Sequence, residues 1–92
     1  MGVKQEDIIP ESFIVTVASV SGNFEIDMEL PSNLEVKNLR VKLLDLLKSI
    51  DGERFLSWQG CRLRYKNNFL SDADTLNSAG VFDGSRLVAV KE

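Results

Sequence analysis

The chain has 92 residues, 43% apolar and 27% charged, with a net charge of −3, no histidine and one cysteine. That length and balance predict one domain around one modest core. They argue against a basic nucleic-acid binder, a membrane-spanning chain, a disulfide-stapled domain and any catalyst built on histidine.

The opening stretch, residues 1–11, is polar, carries Pro10 and shows no period, so it reads as a flexible leader to a domain at 12–92. It has no apolar signal region, and a cytoplasmic setting is expected. Gly2 does not start a myristoylation signal, because position 6 is Glu6 and not Ser or Thr.

From Ser12 to Val20, "SFIVTVASV" is rich in β-branched residues and predicts a strand. "SGN" is turn chemistry, with Gly22 free to take positive φ. In "FEIDMEL" the apolar Phe24, Ile26, Met28 and Leu30 alternate with Glu25, Asp27 and Glu29. Alternate side chains on a strand point to opposite faces, so one face is oily and the other acidic. The two strands make a hairpin, which Pro31 ends.

The period then changes. Val36, Leu39, Leu43, Leu46, Leu47 and Ile50 recur at helical spacing and predict a helix at about 34–49. Ser32 with Glu35 offers a capping box and Asn33 a rival cap. Asp51-Gly52 is a stop signal. Val41 and Leu44 lie off the stripe; they are either half-exposed or the flank of a wider buried face. "RFLSW" (54–58) and "CRLRY" (61–65) read as short strands with a turn between them. "KNN" is another turn, and a loop with a helical turn near Thr75–Ala79 follows. Gly84 permits the last turn, and "SRLVAVK" is the closing strand. One helix with one apolar stripe covers one face of one sheet. The fold expected is a two-layer α+β domain.

This order of elements resembles the ubiquitin-like β-grasp fold over about residues 12–91. That resemblance implies a mixed sheet of four or five strands, with the first and last strands side by side in its middle and the main helix packed across one face. "VTVASVSGNFEIDMELPSNLEV", "NLRVKLLDLL" and "TLNSAGVFDGSRLVAV" look more narrowly like the YukD/EsaB family of type VII (ESX-like) secretion systems, which also forms the cytosolic head of the membrane component EccD. Leu30-Pro31 before the helix and the Thr75–Leu87 ending carry that likeness.

Ubiquitin and its sulfur-carrying relatives work through a C-terminal Gly-Gly, whereas this chain closes on "VAVKE". Conjugation and sulfur transfer are therefore not expected, and neither is any catalytic residue. The serines have no histidine to activate them. Cys61 reads as a small core residue. Asp72 and Asp74 in "DAD" read as a solvated loop with a helix-capping aspartate; they supply too few ligands for a metal. No cofactor is expected.

If Phe13, Val15 and Val17 face the helix, then Ile14, Thr16, Ala18 and Val20 face out. If Leu87 and Ala89 face in, Val88 and Val90 face out. With Ser57 and Trp58 from the strand expected beside them, Ile14, Ala18, Val20, Ser57, Trp58, Val88 and Val90 form a candidate protein-binding patch. Simple cross-strand packing of valine is the alternative explanation. Glu25, Asp27 and Glu29 flank the patch on one side, Arg62 and Arg64 on the other. Ubiquitin docks partners through the equivalent face, and by resemblance its central isoleucine falls on Ser57. The expected function is a non-enzymatic, accessory or regulatory protein-interaction module of a type VII secretion system. A component of that apparatus or a second copy of the chain would be its partner, with no nucleic acid and no membrane insertion. The alternative is the ubiquitin-like domain of a eukaryotic adaptor that binds ubiquitin receptors or the proteasome.

Overall fold

The computed structural model describes residues 10–92. Most of the expected leader, Gly2 included, lies outside them. Pro10 and Glu11 do not hang free. Their carbonyls accept hydrogen bonds from the Ser32 hydroxyl and the Ser32 amide.

Among the described residues, β1 (Ser12–Ser19) and β2 (Glu25–Pro31) lead to α1 (Val36–Ile50), β3 (Cys61–Tyr65), β4 (Asn68–Phe69) and β5 (Arg86–Lys91). The strands form one sheet in the order β2-β1-β5-β3-β4. β1 pairs antiparallel with β2 and parallel with β5, so the sheet is mixed and the chain's first and last strands lie together at its centre. The two-layer α+β β-grasp is the fold that forms.

Alternation carries Phe13, Val15 and Val17 into the core beneath the helix, joined by Leu63, Leu87 and Ala89 from β3 and β5. The helix answers with Val36, Leu39, Leu43 and Leu47, all fully buried. Two residues of the stripe differ from expectation: Ile50 is 48% exposed and Leu46 half-buried. Of the two residues off the stripe, Leu44 is buried as the flank of a wider face and Val41 is exposed. The cause is a double tie on one flank. Arg40 Nε donates to the Cys61 carbonyl at 2.6 Å, and Cys61 Sγ donates back to the Arg40 carbonyl at 3.6 Å. That flank is tied to β3 and buries Leu44, with a groove beside the tie, while Leu46 and Ile50 on the opposite flank are less covered.

The helix starts without a side-chain cap. Ser32 is fully buried and has spent its hydroxyl on Pro10, so neither the capping box nor Asn33 serves. Carbonyls of the late loop serve instead: Asp74 accepts from the Val36 amide at 2.7 Å and Asp72 from the Lys37 amide at 3.2 Å. The first amides of a helix need partners from somewhere, and here they come from across the fold.

The strand expected at 54–58 does not form. Phe55 and Trp58 are three residues apart and share one side of a series of turns, as their edge-on contact at 4.9 Å requires. Strand alternation would have parted them. The Trp58 amide bonds the Phe55 carbonyl, and Phe55 also meets Phe24 edge-on at 5.1 Å. In place of that strand the short β4 appears, turned back on β3 by Lys66 and Asn67 at φ 51° and 70°. The helical turn at Thr75–Ala79 is present, closed by the Ala79 amide on the Thr75 carbonyl and by reciprocal Thr75–Ser78 bonds. Gly22 and Gly84 take the positive φ their turns demand, 79° and 89°.

Candidate protein-docking site

Among the described residues nothing packs over the sheet face away from the helix, and its composition follows from parity and register. Crossing the sheet on that face, one row runs Glu25, Ala18, Val88, Arg64 and Phe69 from β2 to β4. A second row sets Asp27 beside Thr16 and Arg86, and a third pairs Glu29 with Ile14. Val90 sits opposite Arg62. The face therefore grades from acid on β2, through a middle on β1 and β5 that is apolar except for Thr16 and Arg86, to base on β3.

Ile14 is 57% and Val20 63% exposed, whereas Val88 and Val90 are half-buried between their neighbours. Ala18 points outward by parity but is fully buried, because its methyl lies below the longer Glu25 and Val88 on either side. Ser57 and Trp58 do not join the patch as a strand. They lie in the α1–β3 connection, where Trp58 packs edge-on against buried Phe55 and the exposed Ser57 hydroxyl accepts from Lys91 Nζ at 2.9 Å. The side chains beside Val88 and Val90 are Arg64 and Arg62, so the place assigned to Ser57 by resemblance is occupied by an arginine.

Polar contacts hold the rims in place. Thr16 donates to Asp27 at 2.6 Å, Ser12 to Glu29, and Arg86 reaches across β1 to Glu25. Arg62 lies over the Phe69 ring at 3.9 Å. Sequence reasoning left Arg86 and Phe69 out of this face. The Arg86 position was legible, since it is two residues before Val88. Phe69 needed the β4 hairpin, which loop-like "NNFLSD" concealed.

Elsewhere, a groove of about 360 Å³ between α1 and the start of β3 is lined by Lys37, Arg40, Leu44, Lys48, Cys61 and Glu92 among others. Its central charge is already engaged. Arg40 bonds Asp72 at 2.7 Å and Glu92 at 2.6 Å, and the Asp72 bond foremost holds the guanidinium pKa above its ordinary value. Burial pushes the Cys61 thiol up to about 11, with Arg40 opposing, so it stays protonated at neutral pH. The two aspartates of "DAD" point to different partners: Asp72 to Arg40, and Asp74 to the Ser71 amide at 3.3 Å. Among the described residues no group of three His, Cys, Asp or Glu side chains could hold a metal, and no helix is long and apolar enough to cross a membrane.

A five-stranded mixed sheet crossed by one helix, with central parallel first and last strands, defines a ubiquitin-like β-grasp domain. Residues 13–88 match the family model described as WXG100 protein secretion system (Wss), protein YukD, and the chain belongs to that family. Among solved structures it is similar to the ubiquitin of Caldiarchaeum subterraneum, at 27% identity and TM-score 0.63, covering 88% of this chain and 94% of that one. It is also similar to a chain of the MycP5-free ESX-5 inner membrane complex (25% identity, TM-score 0.72), covering 87% of this chain but 21% of that one. The ubiquitin-like domain of the Mycobacterium tuberculosis type VII secretion system protein ECCD1 shares the fold at TM-score 0.70 and 22% identity, over 87% of this chain and 98% of that domain. A search of curated proteins found no match.

Proposed function

We propose that this chain is a non-enzymatic, cytoplasmic docking module of a type VII secretion apparatus, and that it grips another protein component through the open face of its sheet. One observation carries the reading: an apolar middle of Ile14, Val20, Val88 and Val90 lies between an acidic rim on β2 and a basic rim on β3. Apolar area gives affinity when water leaves it, and opposed charges at its two edges fix the partner's orientation. Membership of a secretion-system family, and likeness to a chain of an inner membrane complex, support a component of that machinery as partner. A second copy of the chain is the other candidate, since the acid rim of one face could meet the base rim of another. The eukaryotic-adaptor alternative has less support, because Arg64 and Arg62 flank the valines where an apolar residue was wanted.

The test uses the double variant Val88→Asp/Val90→Asp. Both side chains point away from the core, so the melting temperature should change by no more than a few degrees. Binding to the cytoplasmic portions of the secretion apparatus, measured by pull-down with purified components, should be lost. Retained binding would remove the face from the account.

A further inference from the structure

Among the described residues β2 ends the sheet, and its outer edge carries main-chain groups that none of them pairs. The ladder to β1 shows which groups these are. The Ser19 amide bonds the Phe24 carbonyl and the Ser32 amide bonds the Glu11 carbonyl, both at 2.9 Å. In an antiparallel register the pairs alternate, so Phe24, Ile26, Met28, Leu30 and Ser32 turn their amides and carbonyls toward β1. Those of Glu25, Asp27 and Glu29 then point outward, and among the described residues no strand lies beyond them.

Two further features adjoin this edge. On the helix side, Ile26 and Met28 are only half-covered. On the other side stands the exposed row Glu25, Asp27 and Glu29; Glu25 is paired with Arg86, while Asp27 and Glu29 accept only from the hydroxyls of Thr16 and Ser12 and keep their charge unpaired by any cation among the described residues.

We infer that the β2 edge, which adjoins the acidic rim of the docking face, is a strand-addition site for an extended segment of alternating apolar and basic residues. The added strand takes the outward amides and carbonyls of Glu25, Asp27 and Glu29 into a ladder. Its apolar side chains lie beside Ile26 and Met28. Its basic side chains lie beside the three carboxylates. A second copy of β2 is the wrong occupant. Pairing β2 with itself about Asp27 sets Asp27 against Asp27 and Glu25 against Glu29, and like charges directly opposite destabilise a sheet. The same acids that guard the edge against self-association select a cationic strand.

The test is an amide titration of the full ¹⁵N-labelled chain with a short capped peptide alternating lysine and valine. A glutamate–valine peptide serves as control. The lysine peptide should shift and slow exchange at the amides of Glu25, Asp27 and Glu29, while Val88 and Val90 stay unmoved. Asp27→Pro removes one outward amide without touching the ladder to β1, and should weaken binding at least about tenfold. Asp27→Lys/Glu29→Lys keeps every main-chain group and should reverse the preference to the glutamate peptide. The inference is overturned by equal binding of both peptides, by shifts centred on Val88, or by no binding at millimolar peptide. It is equally overturned if these amides are already protected in the free protein, since the chain's own first nine residues or a second copy would then cover the edge.

Discussion

Cys61 and Arg40 illustrate how one residue can join several parts of a small fold. Arg40 links the helix to the β3 backbone, to Asp72 in the late loop and to Glu92 beyond β5. Its side chain is only 21% exposed, so the three bonds are partly shielded, although both carboxylates remain half in water. Arg40→Met should cost about 1–2 kcal/mol in urea unfolding, less than a fully buried network and more than a surface ion pair. Cys61 makes a prediction about pH. Its thiol pKa rises from 9.0 in the unfolded chain to about 11 in the fold, through burial. The folded state thus holds the proton more tightly, and this contribution is complete below pH 9 and lost as pH rises toward 11. Thermal melts of wild type and Cys61→Ala should show the wild type losing its margin over that window, with the difference narrowing. A constant difference would mean the thiol does not titrate as described. The core role of Cys61 was legible because a lone cysteine alternates with Leu63 and Tyr65; its tie to Arg40 was not, since it spans 21 positions.

At the scale of elements, the helix boundary and the connection after it show where local pattern reading stops. The stripe from Val36 to Leu47 located the helix well, because the 3.6-residue period is written into the sequence itself. Its cap was not written there. Ser32 and Glu35 have the spacing of a capping box, but the amides of Val36 and Lys37 are satisfied by loop carbonyls some 35 residues on, from Asp74 and Asp72 (Lys37 to Asp72 in particular). Asn33→Ala should therefore change stability by less than about 0.5 kcal/mol, whereas a true cap would cost about 1 kcal/mol. Chemical denaturation separates the two. The segment 54–58 misled for a related reason. "RFLSW" has strand-like composition, but Phe55 and Trp58 each seek the same apolar pocket end, and side chains three apart reach one place only through a turn. Phe55→Ala should be among the most damaging single changes, by about 3–5 kcal/mol, because it removes a fully buried ring that meets both Phe24 and Trp58.

For the molecule as a whole, the layers and the two faces of the sheet followed from alternation, and the central pairing of the first and last strands followed from resemblance to ubiquitin. Both are present. The open face proposed for docking was legible in its valines and in its two charged flanks. It was not legible in its third strand, because nothing local distinguishes "RFLSW" from "CRLRY" as the neighbour of β5. That substitution matters to the account. With Arg64 and Arg62 beside Val88 and Val90, the face is polarised rather than simply oily, and binding through it should weaken with salt and with reversal of either rim.

The central claim is best tested in a cell that secretes WXG100 proteins, with the native gene replaced by the Val88→Asp/Val90→Asp variant. The measurement is the amount of WXG100 protein in the medium, set against the cellular level of the variant. Secretion should fall at least about tenfold, given the loss of a docking centre worth more than about 1.4 kcal/mol, while the variant accumulates as the wild type does. Normal secretion at a normal level of the variant would contradict that claim.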